Sequence, residues 1–349
     1  MEVLSIIFIL RYFKRELRIV TAKGILFWIF MICLLIVALI NFLIPLPGAD
    51  VDAIDFQNLV QAPPKFDLGS AFFIWLLKFQ RLFSLTNISF YVVPSILYCS
   101  VIFLILRSVR LNSLSLFIIL LFLSNPFIFI FSTTSLRESY QAFFLFLVVY
   151  NWHGPNFIRY GLPSLIFLSF LHKGLLIFGI IALIYRFWKV AYLLTPLLYP
   201  VFLILARIES RGLEVLRYLF NGDILFYVNN YRSDLLSLNS NTSYFIDYSS
   251  YFDLFLGSWI AYNFRPLFTM FDYSPFFFLE SLIRLVLLFL IVLRKKFNYI
   301  FFLWVLLGFI WSLGTTNYGQ IVRHHIMHDF LLIMALYYDK KYKFFFSRI

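Results

Sequence analysis

The chain has 349 residues, of which 62% are hydrophobic, 22% aromatic and only 13% charged. A water-soluble domain has roughly 25% charged and about 45–50% apolar residues, so this excess is too large for one core and much of it must face lipid. The net charge of +12 does not by itself indicate nucleic acid, because the placement of basic residues matters more than their sum. Cys33 and Cys99 lie in apolar runs and indicate neither a disulfide framework nor a metal cluster.

Apolar runs along the chain predict about ten membrane-spanning helices, since crossing the hydrocarbon takes roughly 20 residues. The N-terminal segment 1–23 is basic and amphipathic, and its apolar run is too short for a cleavable signal peptide. The predicted spans are 24–44, 89–106, 114–132, 138–152, 161–171, 174–186, 190–207, 276–294, 298–315 and 319–338. The fifth and sixth form one apolar stretch that His172, Lys173 and Gly174 interrupt, which allows one long span or two short ones.

Basic residues decide between these alternatives, because cytoplasmic loops carry an excess of Lys and Arg. A single span across 161–186 would place Arg186 and Lys189 outside and invert every later loop. With ten spans and a cytoplasmic N-terminus, the basic residues of the cytoplasmic side are Arg107, Arg110, Arg159, Arg186, Lys189, Arg294, Lys295, Lys296, Lys340, Lys341, Lys343 and Arg348. We therefore predict an all-α polytopic membrane protein, a single transmembrane domain over 1–349 with both termini cytoplasmic.

Two predicted outer segments are long. The segment 45–88 contains "SAFFIWLLKFQRLF", whose apolar residues recur at helical spacing and predict an interfacial helix. The segment 208–275 is a large periplasmic loop rich in Asn, Ser, Tyr and Asp. Its aromatic content predicts an ordered cap, since disordered segments are poor in aromatic residues. Aromatic faces beside Asn, Asp and Ser suit carbohydrate, and they suit an aromatic belt at the membrane surface equally well.

Ionisable groups inside spans are costly, so each is a candidate site. Arg137 and Glu138 begin the fourth span. They are either an interfacial pair with Glu138 near the positive helix N-terminus, or Arg137 donates to a phosphate oxygen. His172 is the polar centre of the fifth and sixth spans, and its neighbour Lys173 can also snorkel to the interface.

Two further spans carry charge. Glu280 and Arg284 are four residues apart on one helix face, which favours a self-neutralising structural pair. The last span, "NYGQIVRHHIMHDFLLIMALYY", opens with a cluster of ionisable residues. Arg323 follows a short outer turn and is predicted at the outer membrane boundary.

Histidine spacing in that last span raises two possibilities. His324 and His328 share a helix face, but the glutamate and third ligand of an HExxH site are missing, so we predict no metal. His325 and Asp329 are also four residues apart, and they predict a proton-accepting base and the carboxylate that orients it.

The candidate residues share one side of the predicted membrane. Near the outer ends of spans, or in the large periplasmic loop, lie Arg137, His172, Lys173, Arg265 and Arg323. A basic cavity that opens outward suits an anionic substrate in the outer leaflet, such as a lipid-linked pyrophosphate that carries sugar.

Three stretches carry a family resemblance: "PPKFDLGSAFFIWLLKF", "SLRESYQAFFLFL" and "LPSLIFLSFLHKGLLIF". Their succession resembles the EpsG-like and Wzy-like polysaccharide polymerases of bacterial inner membranes. In those families an Arg opens a mid-chain span and a His-containing step follows in the next apolar stretch, and Arg137 and His172 stand at those positions. The string "GQIVRHHIMHDF" is similar to their Arg-bearing final spans.

The resemblance implies a polymerase of O-antigen or capsule repeat units in the bacterial inner membrane. Such enzymes transfer a growing glycan from undecaprenyl pyrophosphate onto a second lipid-linked repeat unit at the periplasmic face, without a cofactor or metal. Membrane lipids and a protein that regulates chain length are the expected partners, and nucleic acid is not.

The residue roles that follow are hypotheses. Arg137 and Arg323 bind the pyrophosphate, with Arg265 and Lys173 as weaker candidates. Either His172 or His325 is the base, and either Asp329 or Glu138 orients it.

Two other classes fit the same features. An O-antigen ligase or another polyprenyl-linked glycosyltransferase would also have a large outer loop. A transporter or flippase for polysaccharide precursors would line a path through both leaflets with charge and would show internal repeats. The sequence shows no repeat, and its ionisable groups lie toward the outer side, which favours the transferase.

Overall fold

The computed structural model describes residues 22–43, 78, 89–109, 113–123, 128, 136–153, 155–171, 173–188, 200, 218, 222–223, 225–226, 229, 250–269, 275–314, 324–325 and 329–337. The regular elements in these ranges are helical, which confirms the all-α prediction. The α-helices are α1 (Ala22–Leu43), α2 (Ser89–Ser108), α3 (Ser113–Leu123), α4 (Leu136–Asn151), α5 (Gly161–Leu171), α6 (Lys173–Arg186), α7 (Ser258–Thr269), α8 (Pro275–Leu293), α9 (Tyr299–Gly314) and α10 (Phe330–Tyr337).

Each predicted span except 190–207 coincides at least in part with one of these helices. Within the described ranges, one helix is both long and apolar enough to cross a membrane, over Lys23–Ile40 of α1. Shorter apolar helical stretches are Val92–Arg107, Gly161–Leu171, Gly174–Arg186 and Tyr299–Leu313. The predicted interfacial helix of 45–88, the N-terminal segment 1–23 and the seventh span lie almost wholly outside the described residues.

Helix α1 presents two apolar faces of different exposure. Its buried face consists of Phe27, Phe30, Leu34 and Ala38. Its exposed face is equally apolar and recurs every three to four residues, at Ile25, Ile29, Ile32, Ile36, Leu39 and Leu43. This periodicity keeps one continuous hydrocarbon stripe on the outside of the protein.

Helix α8 has the opposite of the pattern expected of a helix in water. Its exposed side is apolar and comprises Leu282, Leu285, Val286, Phe289, Val292 and Leu293. Its two charged residues, Glu280 and Arg284, face inward together with Ile283, Leu287 and Ile291. A surface helix of a soluble protein places its charges outward and its apolar stripe inward.

Helix α10 lies at the centre of the fold. All of its residues from Phe330 to Tyr337 are buried. It packs against α2, α3, α8 and α9. Since α10 immediately follows Asp329, the packing of the last helix fixes the position of this carboxylate among its neighbours.

Helices α5 and α6 resolve the ambiguity at 161–186. They are separate helices that pack against each other, which confirms two short segments. A Cβ on Gly179 of α6 would come within 2.1 Å of Ser169 Oγ on α5, so glycine allows the close approach of this hairpin. His172 stands at the break, outside the described residues.

A short basic turn connects α8 to α9. Lys295 ends α8 with a φ of 48°, while the Lys296 N–H donates to the Ile291 carbonyl at 2.9 Å. Asn298 then caps α9, because its Oδ1 accepts from the N–H groups of Ile300 and Phe301 at 3.1 Å each. The Asn298 amide also donates to the Ala335 carbonyl of α10 at 2.8 Å, which fixes this end of the core.

The end of the predicted periplasmic loop is ordered. Residues 251–269 are continuously helical, with a π-helical turn at Asp253–Gly257 leading into α7. Tyr262 and Asn263 of α7 are fully buried, and α7 packs on α8 and α9. Helix α7 therefore belongs to the core of the helical bundle, while an ordered cap over 208–275 stays a prediction.

Candidate functional site

Arg284 of α8 is the centre of a buried charged cluster, and its side chain is fully inaccessible. Its Nε donates to both carboxylate oxygens of Asp329 at 3.0 Å, and its Nη2 donates to Asp329 Oδ2 at 2.7 Å. Nη2 also donates to Glu280 Oε1 at 3.0 Å, and Nη1 donates to the Asn263 carbonyl at 2.6 Å. Every nitrogen of the guanidinium is therefore hydrogen-bonded.

Four helical elements bring this cluster together. The helical repeat places Glu280 and Arg284 on one face of α8, and Asp329 precedes α10. From α9, Trp304 Nε1 donates to Asp329 Oδ1 at 3.3 Å. From α7, the Asn263 carbonyl accepts from Arg284 Nη1.

His325 lies against the same cluster. Its Nδ1 is 3.6 Å from Glu280 Oε1, and the residue is buried. The Tyr262 ring from α7 packs on the imidazole with ring centroids 4.4 Å apart. The adjacent His324 instead stacks on Trp311 of α9, with centroids 3.8 Å apart. The two consecutive histidines therefore have different surroundings, and only His325 contacts the buried carboxylate.

The charges of the described residues of the cluster do not balance when His325 is neutral. Among these residues Arg284 contributes one positive charge, and Glu280 and Asp329 contribute one negative charge each, so their sum is −1. Burying an uncompensated charge costs several kcal/mol, which makes one additional positive charge or proton favourable here.

A second acidic group approaches the cluster from α4. Glu138 is buried, and Arg137 Nη2 lies 3.7 Å from its Oε1. The carboxylates of Glu138 and Glu280 both act electrostatically on the buried phenol of Tyr98 on α2. Arg137 is 38% exposed, whereas the members of the cluster are buried.

One turn after Glu138, α4 carries a buried amide. Gln141 is 1% exposed, and within the described part of the chain neither its Nε2 nor its Oε1 has a hydrogen-bond partner. The Nε of Arg137 and the Oδ1 of Asn263 are likewise buried without such a partner among the described residues. Leaving a buried polar atom unsatisfied costs about 1–3 kcal/mol, so these atoms favour water or a polar ligand beside them.

Three side chains of the cluster are chemically suited to a metal. Glu280, His325 and Asp329 offer ligand atoms within 4.8 Å of one another, a set typical of zinc with an open position. The Arg284 guanidinium, however, bonds both oxygens of Asp329. A divalent cation bound there would lie against a fixed positive charge.

The structure brings together part of the predicted site. His325 and Asp329 both belong to the cluster, and Arg137 and Glu138 pair at the start of α4. Arg265 lies in α7 and Lys173 begins α6, while the side chains of both are outside the described residues. His172, Arg323 and His328 are outside them entirely.

The predicted Glu280–Arg284 pair is confirmed, but it is not self-contained. The strongest partner of Arg284 is Asp329, 45 residues away. Sequence reasoning also missed Tyr98, Gln141, Asn263 and Trp304. The charge of Glu280 and Arg284 within an apolar helix was the one signal that pointed to a site in α8.

Comparisons with family models, with curated proteins and with solved structures give no match to this chain.

Proposed function

We propose that this chain is a multi-pass protein of the bacterial inner membrane. The exposed apolar faces of α1 and α8 support this proposal, since soluble monomers rarely expose contiguous apolar patches larger than a few hundred Å². The inward charges of α8 support it as well, because ionisable residues of membrane helices face the interior of the bundle. Helices such as α2, with 20 residues, have the length that a span needs.

Within that membrane, the protein acts as a polymerase of lipid-linked glycan repeat units at the periplasmic face. The observation that carries this proposal is the pairing of a buried imidazole with a carboxylate, His325 with Glu280. Arg137 of α4 is 38% exposed, and its Nε has no hydrogen-bond partner among the described residues. Glycan transfer from a pyrophosphate requires both a proton acceptor and a cation for the leaving group.

The reaction forms one glycosidic bond. A hydroxyl of the acceptor sugar attacks the anomeric carbon of the donor glycan, and its proton passes to His325, with His172 as the alternative base. The bond from the anomeric carbon to the pyrophosphate oxygen breaks, and undecaprenyl pyrophosphate leaves with the electron pair. Arg137 and Arg323 stabilise the charge of the leaving group, with Arg265 and Lys173 as further candidates.

The buried amide of Gln141 fits the same chemistry. An amide donates and accepts hydrogen bonds at once, as sugar hydroxyls require. Gln141 lies one turn from Glu138 on α4, and it lacks a hydrogen-bond partner among the described residues. A sugar ring bound there would satisfy both amide atoms.

One observation favours a second function. Buried networks of Arg, Asp, Glu and His within membrane helices are also typical of proton-coupled transport. The cluster around Arg284 would serve a flippase for lipid-linked glycans in the same way. A flippase moves its substrate without lengthening it, whereas a polymerase lengthens it, and this difference separates the two functions.

Complementation in cells tests the polymerase proposal. A strain that lacks this chain is given the wild type, His325→Gln or the matched control His324→Gln, and surface polysaccharide is resolved by gel electrophoresis. We expect long-chain polymer with the wild type and with His324→Gln. His325→Gln should give single repeat units only, with normal amounts of protein in the membrane fraction.

The same gels distinguish the alternatives. If the chain is a ligase, its loss leaves polymer on the lipid carrier and none on the final acceptor. If it is a flippase, its loss leaves single units on the cytoplasmic side, inaccessible to periplasmic enzymes. Polymer of normal length on its final acceptor in the absence of the protein would contradict all three functions.

A further inference from the structure

We propose that Glu280 is the positioning residue for His325, and that Arg284 holds Asp329 out of proton transfer. This inference rests on the proposed function, and it replaces Asp329 as the expected partner of the histidine. It assigns different roles to the two buried carboxylates of one cluster.

The acceptor positions of Asp329 are largely occupied. Its Oδ1 accepts from Arg284 Nε and from Trp304 Nε1, at 3.0 Å and 3.3 Å. Its Oδ2 accepts from Arg284 Nε and Nη2, at 3.0 Å and 2.7 Å. These are three N–H donors, because the single Nε–H is shared between both oxygens, and they use most of the about four acceptor sites of a carboxylate. The bonds from the guanidinium, which does not lose its proton, fix the position of the Asp329 carboxylate.

Glu280 is placed to act on the imidazole. Its Oε1 lies 3.6 Å from His325 Nδ1, while the same oxygen accepts from Arg284 Nη2 at 3.0 Å. The arginine thereby fixes the Glu280 side chain on a rigid helix. Catalytic hydrogen bonds are often long without substrate and shorten in the reacting complex, so 3.6 Å suits a bond that tightens on binding.

The hydrogen bond at one imidazole nitrogen determines the state of the other. When Nδ1–H donates to Glu280, Nε2 carries the lone pair that accepts a proton. Acceptance breaks the O–H bond of the sugar and forms the Nε2–H bond, while the Nδ1–H bond remains directed at Glu280. The charge of the cluster then changes from −1 to zero, so the buried excess charge favours this step.

Other ionisable groups near His325 in the described part of the chain do not replace Glu280 in this role. Arg284 is a fixed cation, and Glu138 lies 3.7 Å from its own partner Arg137. Among the described residues, the groups at the cluster are Tyr98, Tyr262, Glu280, Arg284 and Trp304, and Glu138 acts on Tyr98. Of these, Glu280 is the carboxylate within ion-pair distance of the imidazole.

Nuclear magnetic resonance of the purified protein in detergent, with ¹⁵N-labelled histidine, tests the assignment without any substrate. The chain has 5 histidines, and His325→Gln identifies the signal of interest. We expect the wild type to carry the proton on Nδ1, with a downfield Nδ1–H resonance. In Glu280→Gln, which keeps an acceptor for Arg284, this resonance should move upfield because a neutral bond replaces a charge-assisted one.

Asp329→Asn is the matched control, and it should leave the Nδ1–H resonance in place. A wild-type histidine with its proton on Nε2 would overturn the proposal, even if neither variant folds. So would an upfield shift in Asp329→Asn but not in Glu280→Gln. Because no glycan is present, these outcomes are independent of the cellular polymer assay, and either proposal can fail alone.

Discussion

Two arginine–carboxylate pairs occupy very different surroundings in this protein. Arg284 is wholly buried and bonds Asp329, Glu280 and a backbone carbonyl, whereas Arg137 is 38% exposed and lies 3.7 Å from Glu138. A buried arginine whose nitrogens are all engaged cannot release them for a substrate. The exposed arginine retains donors and can reach an anion. Burial therefore separates an arginine that organises the cluster from the arginine that we propose for the leaving group.

The largest effect is expected from breaking the buried pair. Arg284→Met leaves two carboxylates without their cation and should cost about 3–5 kcal/mol of stability, enough to prevent accumulation. Immunoblots of the membrane fraction and melting temperatures in detergent measure this loss. A variant that accumulates and melts like the wild type would remove the distinction between the two arginines.

A smaller loss is expected where α7 approaches α9. A Cβ on Gly308 would lie 2.7 Å from Trp259 Nε1 and 3.5 Å from Asn263 Nδ2. Gly308→Ala should therefore displace α7, which supplies the carbonyl that Arg284 bonds, at a cost of about 1–3 kcal/mol. Melting temperatures check this, with Gly257→Ala as the control because its nearest neighbour is 3.8 Å away. Equal melting of the two variants would contradict the close contact.

Gln141→Leu, unlike the two preceding variants, should not destabilise the protein. Replacing a buried amide that has no partner in the described chain removes an unsatisfied group, and the melting temperature should rise or stay unchanged. Polymer length in cells should nevertheless fall, since the sugar loses its amide contacts. If the polymer keeps its wild-type length, Gln141 does not contact the substrate.

The smallest loss of stability from removing an arginine is expected at Arg137, which is 38% exposed and lies 3.7 Å from Glu138. Arg137→Met should cost about 1 kcal/mol, less than Arg284→Met, because water reaches the guanidinium and the contact is longer. Long-chain polymer should still disappear, since the pyrophosphate loses a cation. Arg159→Met is the control, because Arg159 lies over Tyr160 beyond the other end of α4. Polymer loss in the control as well would indicate a general effect of removing charge.

The helical character of the described chain was predictable, because hydrophobic runs are local signals. The break between α5 and α6 followed from the placement of Arg186 and Lys189, and the helical pair Glu280–Arg284 followed from its spacing. Other relations depend on packing between distant segments. Nothing near Asp329 in the sequence indicates that Arg284 binds it, and the same holds for Trp304 and for the α7 carbonyl.

The partners of the histidines could not be predicted from the sequence for the same reason. The spacing of four residues suggested that Asp329 orients His325, but spacing cannot reveal that Arg284 already occupies the carboxylate. His324 and His325 are adjacent in the sequence, and the structure separates them by their contacts, His324 with Trp311 and His325 with Glu280. The partner of a buried polar group is set by tertiary structure.

The central claim is that the buried cluster carries a reaction and does more than hold the helices together. Purified protein incubated with undecaprenyl-pyrophosphate-linked repeat units tests it most directly, through the release of undecaprenyl pyrophosphate and the growth of the glycan. We predict that the wild type and His324→Gln elongate the glycan, and that His325→Gln, with the same melting temperature, does not. Elongation by His325→Gln at the wild-type rate would contradict the claim.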